Sequence, residues 1–297
     1  MRENYNEYKA IVDEHILDYM PNIDTLSRSL YDSMRYSLMA GGKRLRPVLM
    51  MATCEFCGLD SYEALPYACA MEYIHTYSLI HDDLPCMDDD DMRRGQPSNH
   101  IVYGEDIATL AGDGLLNTAF EVMNKDLFMF FDNDEKLKRR INACYAITKA
   151  AGVTGMVAGQ VADTESESKE GSNEMLEFIH LNKTAALIKA AIDAGLYLGG
   201  ADEETTADFR AYAENLGLAF QIADDLLDVR GNAEEMGKAT GEDEKNNKLT
   251  YVSLNGLAAA EEKLHQLTSN AVSAIEEYYD NAEFFRDLVL KLETRTK

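Results

Sequence analysis

Six carboxylates fall within ten positions, at Asp82, Asp83, Asp88, Asp89, Asp90 and Asp91, and Arg93 and Arg94 follow at once. Like charges so close repel one another. A hard cation that takes oxygen ligands, such as Mg²⁺, relieves that repulsion. Paired arginines offer fork-shaped donors that suit a phosphate. Together these groups describe a diphosphate held through magnesium. An acidic run is also an ordinary solvated loop between helices. A second acidic motif, Gln221-Ile222-Ala223-Asp224-Asp225-Leu226-Leu227-Asp228, favours the chemical reading. It lies in the apolar stretch Leu216 to Val229, where acids are costly unless they bind something. Asp224 and Asp228 stand at i and i+4 on one helix face, with Asp225 one step round. The bland alternative is a polar stripe facing water.

Three basic sites accompany the acids. Gly41-Gly42-Lys43-Arg44-Leu45-Arg46-Pro47 gathers cations where a helix begins, and helix N-termini favour anions. It is equally readable as a basic turn. Lys183-Thr184 sits in a helical pattern, where a lysine is often a snorkelling surface residue. The stretch 237–251 adds Lys238 and Lys248 in a polar loop of the kind that closes over substrates. His75 alone reads as a core histidine.

The elements that must position these groups are helical. Prolines are few, glycines cluster at breaks, and no alternating strand pattern of useful length is present. Helices are expected over Glu3–Tyr19, from an Asp24 cap to Gly41-Gly42, from near Pro47 to Cys57, and from a Ser61 cap to the first aspartates. Further helices are expected over Glu105–Phe131, Asp134–Asp163, Glu174–Leu198 and Asp202–Val229, then two segments from Thr250. Loops are expected at 164–173 and 231–247. On a straight helix Asp82 and Asp88 would point about 120° apart. Pro85 disfavours helix at Leu84, so a bulge or helix end between Leu84 and Met87 is predicted to bring Asp88 round.

With 297 residues the chain can bury a large core, and residues 1–297 are read as one domain. Its 53 acidic against 28 basic residues argue against nucleic acid or an anionic membrane as partner. No apolar run is long enough to span a bilayer and no apolar signal region opens the chain, so a cytoplasmic protein is expected. Five cysteines with a lone C-x-x-C at Cys54 and Cys57 read as reduced, mostly buried thiols.

The paired acidic motifs resemble those of the trans-prenyltransferases, the isoprenyl diphosphate synthases (polyprenyl synthetases), most of all the bacterial farnesyl diphosphate synthases. The likeness covers roughly residues 38 to 256. Asp82-Asp83-x-x-x-x-Asp88 looks like the first motif with a two-residue insertion, and Asp224-Asp225-Leu226-Leu227-Asp228 like the second. The resemblance implies an all-α, single-domain antiparallel helical bundle around a central active-site cavity, working as a homodimer with three Mg²⁺ ions. It implies direct metal binding by Asp82, Asp88 and Asp224, with Asp83, Asp225 and Asp228 nearby. Gly42, Lys43, Arg46, His75 and Arg94 would hold isopentenyl diphosphate. Arg93, Lys183 and Lys238 would face the allylic diphosphate, Lys248 would be a second basic substrate-binding position, and oxygens near Thr184 and Gln221 would stabilise a carbocation. The released diphosphate would take the final proton. Leu249 stands where the family usually has Ser or Thr.

The expected activity is condensation of dimethylallyl and then geranyl diphosphate with isopentenyl diphosphate to give farnesyl diphosphate. A geranylgeranyl or longer-chain synthase is the alternative. A class I terpene cyclase would not need Gly42-Lys43-x-x-Arg46, and the full set of aspartates argues against a catalytically silent binding subunit. Product length rests on Tyr77, roughly 7.5 Å before Asp82 along a helix. In the family an aromatic there, with the insertion Pro85-Cys86, accompanies farnesyl products. Helical geometry instead puts Ser78 on the face of Asp82, and Tyr77 is readable as a core tyrosine.

Overall fold

The computed structural model describes residues 5–21, 25–166, 171–230 and 248–294. As expected, the fold is all-α. In chain order the helices are α1 (Tyr5–His15), α2 (Arg28–Met39), α3 (Leu45–Phe56), α4 (Leu65–Asp82), α5 (Asn99–Tyr103), α6 (Glu105–Phe128), α7 (Asp134–Ala151) and α8 (Met156–Ser166). They continue as α9 (Asn173–Ile179), a π-helical segment (His180–Ala185), α10 (Ala186–Gly199) and α11 (Glu203–Arg230). After residue 247 come α12 (Tyr251–Asn255), α13 (Leu257–Ala274) and α14 (Glu283–Leu290).

Helix α4 is the axis of the bundle. Pro66 stands in its first turn, where a missing N–H costs nothing. Tyr67, Ala68, Cys69, Ala70, Met71, Tyr73 and Ile74 are all fully buried, so the helix is apolar almost all round and takes neighbours on most sides. It packs along α6 and also touches α3, α2 and α1, while α10 lies between α3, α7 and α11. Arg44 is buried in this frame, binding Glu72 of α4 at 2.8 Å, Asp13 of α1 at 2.9 Å and the Leu38 carbonyl at 2.6 Å. Removing one partner of such a buried pair typically costs about 3–5 kcal/mol. Arg44 is therefore a brace for the turn, although it stands inside the expected anion site.

Several expected boundaries are corrected. The cap before α4 is Asp60, whose carboxylate accepts the Tyr62 N–H at 3.0 Å, and a 3₁₀ turn over Ser61–Ala64 precedes the helix. The helix expected over 134–163 breaks at Gly152, whose ψ of −165° is extended. Helix α8 runs on to Ser166 in the expected loop, and α9 starts behind a Ser172 cap to the Met175 N–H at 3.1 Å. The expected helix over 174–198 contains the π segment. A two-residue hairpin pairs Met92–Arg93 with Gln96–Pro97. Arg94 and Gly95 between them both have positive φ, as a tight type I′ connection requires. The expected loop 231–247, with Lys238, lies outside the described residues.

All five cysteines are free. Burial pushes the Cys54 thiol up to about 12 and that of Cys57 up to about 11, which makes both poor nucleophiles. Among the described residues no helix is long and apolar enough to cross a membrane.

Candidate active site

The first acidic motif is built by ending a helix. Helix α4 stops at Asp82, and turns follow through Leu84–Met87 as Pro85 demands. The Asp88 N–H then donates to the Asp82 carbonyl at 2.8 Å, so residues six apart become neighbours. The predicted helix end is therefore present. The hairpin that follows aims the two arginines differently. Arg93 turns back to Asp83, with Nε 2.9 Å from Oδ1, and reaches Asp90 at 3.3 Å. Arg94 donates to the Gly41 carbonyl and lies against Gly42, where a β-carbon would stand 2.6 Å from its guanidinium carbon. With φ at +131°, only glycine serves at 42.

A cavity of about 550 Å³ opens beneath the motif, lined by Arg46, His75, Tyr77, Ser78, His81, Asp82, Lys183 and Thr184 and by Met156, Val157, Gln160 and Val161 of α8. A second hollow of about 130 Å³ shares Lys183 and Thr184 and adds Asp163, His180, Gln221, Asp225 and Lys248. Lys183 and Thr184 thus join the two. The π segment places them there, and a wide turn of this kind often marks a functional site. Gly159 of α8 admits it: a β-carbon at that position would overlap the Lys183 backbone.

The short stretch 248–251 touches both acidic motifs. Lys248 Nζ reaches Asp88 at 3.1 Å, and the Tyr251 N–H just beyond it donates to Asp225 of α11 at 2.8 Å. Asp225 is buried, with His180 Nε2 3.7 Å away. Burial lowers the Arg46 pKa, and the charges of Glu72 and then Asp224 oppose that shift in part. Asp228, one turn later, is buried and lines neither hollow. Asp83 likewise points into protein, next to Arg93 and a small cavity shared with Arg94. Lys43 is exposed, and its carbonyl accepts the Tyr5 hydroxyl at 2.6 Å.

Burial raises the Asp82 carboxyl to about 6; Lys183 opposes the shift and Asp88 adds to it. His75 is pushed well below 6.5 by burial and then by Arg46, Arg94, Arg44 and Arg93, so it is neutral at pH 7. Burial also lowers Arg46 and Arg94. Arg46 Nε is buried and finds no acceptor among the described residues. A desolvated donor beside a second arginine and a neutral imidazole suits an anion. Among the described residues no three His, Cys, Asp or Glu side chains converge on one point.

Sequence reasoning missed several members of the site. Asp163 pairs with Lys183. Gln160, three residues earlier on the same face of α8, lines the larger cavity. A polar pair at helical spacing in a stretch of small and apolar residues was the available signal. His180 had none, since nothing in its neighbourhood separates it from a core histidine.

The polyprenyl synthetase family model matches residues 27–285. This chain belongs to that family. It is 47% identical over 261 residues to the farnesyl diphosphate synthase of Geobacillus stearothermophilus, covering 87% of this chain and 86% of the relative. It is 49% identical over 246 residues to geranylgeranyl pyrophosphate synthase 3 of Arabidopsis thaliana, covering 82% and 67%. Among solved structures, an apo FPP/GFPP synthase from Zymomonas mobilis superposes with a TM-score of 0.84 at 33% identity, covering 97% of each chain. A geranyltransferase from Legionella pneumophila gives 0.86 at 29% identity, covering 98% and 96%.

Proposed function

We propose that this polyprenyl synthetase is a Mg²⁺-dependent, chain-elongating prenyltransferase, acting as one domain over 1–297, that makes farnesyl diphosphate. What supports the reading is a cavity of about 550 Å³ in which Asp82, Lys183 and Arg46 share the lining with Tyr77 and the apolar Met156, Val157 and Val161. The hard carboxylate oxygens of the two motifs suit Mg²⁺, which takes one or two carboxylates and completes its shell with water and substrate phosphate. Asp82, Asp88 and Asp224 would hold the three ions expected, with Asp83, Asp225 and Asp228 supporting them. When bound, the metal neutralises the leaving diphosphate and so lets the allylic C–O bond ionise.

The chain's own residues do the rest. Lys183, Lys248, Lys238 and Arg93 grip the allylic diphosphate. Arg46, Arg94 and Lys43 hold isopentenyl diphosphate, and the orphaned Nε of Arg46 gains an acceptor. His75, being neutral, contributes a hydrogen bond rather than charge. Oxygens of Thr184 and Gln221 face the developing cation. Water is kept from it by the apolar wall of Met156, Val157 and Val161.

The geranylgeranyl reading stays as the second candidate, because relatives bearing that name align as well as the farnesyl ones. A homodimer is proposed on the family likeness alone. A cytoplasmic setting fits five free thiols. The test is purified protein with labelled isopentenyl diphosphate and each allylic primer in turn. A C15 product from the shorter primers is expected. A C20 product would favour the second candidate, and no condensation at all would end both.

A further inference from the structure

Tyr77, on which product length is expected to rest, is one of a pair of rings. His81 stands one turn later on α4, edge-on to Tyr77, with centroids 5.6 Å apart and planes at 81°. Both rings line the large cavity. Helical side chains lean towards the N-terminus, so the residue at i+4 lies over the one at i. Ser78, the other candidate on this wall, gives its hydroxyl to the His75 carbonyl at 2.9 Å and adds little bulk.

Helix α6 fixes the outer side of the imidazole. His81 Nε2–H donates to the Thr109 carbonyl at 3.0 Å, and that bond sets the tautomer. Three residues along the same face, Gly112 is buried. A β-carbon there would stand inside contact range of three ring atoms of His81. The two helices are packed along their length, so the missing side chain at 112 is a notch that the imidazole occupies. The nearby Asp113 carboxylate is 4.0 Å away and largely exposed, which leaves Thr109 as the anchor.

We propose that His81, seated in the Gly112 notch, is a specificity-determining residue that props Tyr77 and thereby sets the length of the prenyl chain. This rests on the prenyltransferase reading and deepens it. A tyrosine alone on a helix has alternative rotamers, and a growing hydrocarbon would displace it into any free volume beside it. The imidazole fills that volume and is itself held on its far side. Removing the ring should deepen the cavity. Filling the notch should push the ring inward and shorten it.

The test compares products by chain length for wild type, His81→Ala, Gly112→Ala, Tyr77→Ala and the double variant Tyr77→Ala/His81→Ala, all with dimethylallyl and isopentenyl diphosphates. His81→Ala should raise the ratio of C20 to C15 by about tenfold, the lower end of what a methylene-scale change in an apolar pocket discriminates. Gly112→Ala should move the profile the other way, towards released C10. The double variant should shift less than the two single shifts combined, because the rings act as a unit. Thermal melts run alongside separate a loss of fold from a change of floor. A folded, active His81→Ala that still stops at C15 overturns the proposal and leaves the prenyltransferase reading intact. A wild type that condenses nothing overturns the reading itself. If His81→Ala is inactive, Gly112→Ala decides, and an unchanged profile there overturns the proposal.

Discussion

The two aspartate motifs, one lining the larger hollow through Asp82 and the other the smaller through Asp225, are built by opposite constructions. The second is uninterrupted helix: Asp224 and Asp228 share a face of α11 because they are four apart, and Asp225 is pinned by the Tyr251 N–H. The first is a helix deliberately ended. Asp82 and Asp88 come together only because α4 stops and the Asp88 N–H folds back onto the Asp82 carbonyl. In each motif, one carboxylate holds another part of the chain: Asp83 binds Arg93, and Asp225, on the lining of the smaller hollow, holds the chain entering α12. Periodic spacing thus suffices to place carboxylates in a helix, whereas a six-residue spacing needs a break written into the sequence.

The largest expected effect tests whether the two constructions serve one reaction. Asp82→Ala and Asp224→Ala should each lower kcat by at least ~10²-fold, since each removes part of the charge relief in the transition state, and chelation of Mg²⁺ should abolish turnover. Steady-state rates that fall for one motif alone, or full activity in chelator, would break the pairing. A smaller loss is expected at the supports. Asp83→Asn and Asp225→Asn should each cost about tenfold in kcat/KM, the value of one weakened charge-assisted hydrogen bond. If either equals Asp82→Ala, the division between facing and supporting carboxylates fails.

The last effect is one of stability rather than rate, and it belongs to the first motif. In metal-free protein Asp82 has a pKa of about 6, above the ordinary 3.8. The native state therefore binds more protons than the unfolded chain between those values. Stability from this group is full below about pH 4 and is lost as pH rises through about 6. Asp82→Asn should accordingly stabilise the metal-free protein by about 2–3 kcal/mol at pH 8 and by little at pH 4. Denaturant midpoints at the two pH values check the sign, and equal shifts at both would assign the gain to packing instead.

Much of this arrangement was legible in the sequence. Long apolar runs announced α4, α6 and α11, and Pro85 announced the end of α4. The acids stood out because they interrupt apolar helix. Other features left no trace in composition. The π segment differs from α-helix only in how many residues fill a turn, and Lys183 owes its place to that count. Arg44 and Arg46 are the same residue type two positions apart, yet Arg44 is fully paired inside the frame while Arg46 faces the cavity. Their fates depend on Asp13 and Glu72, which no local pattern links to them. The break at Gly152 lies within a sequence whose helical periodicity continues on both sides, and only packing chooses where it bends.

Arg46 has a consequence for anyone engineering this chain. Its guanidinium has already lost water on one nitrogen before any ligand arrives. That dehydration is charged to the folded state, so the empty protein is less robust than its core would allow. An apolar replacement of similar volume would harden it against heat. The hardened protein would then owe the same dehydration cost to nothing, and its diphosphate would meet a surface with no donor waiting. Selection for thermal tolerance alone would thus erode the site from its most buried charge outward.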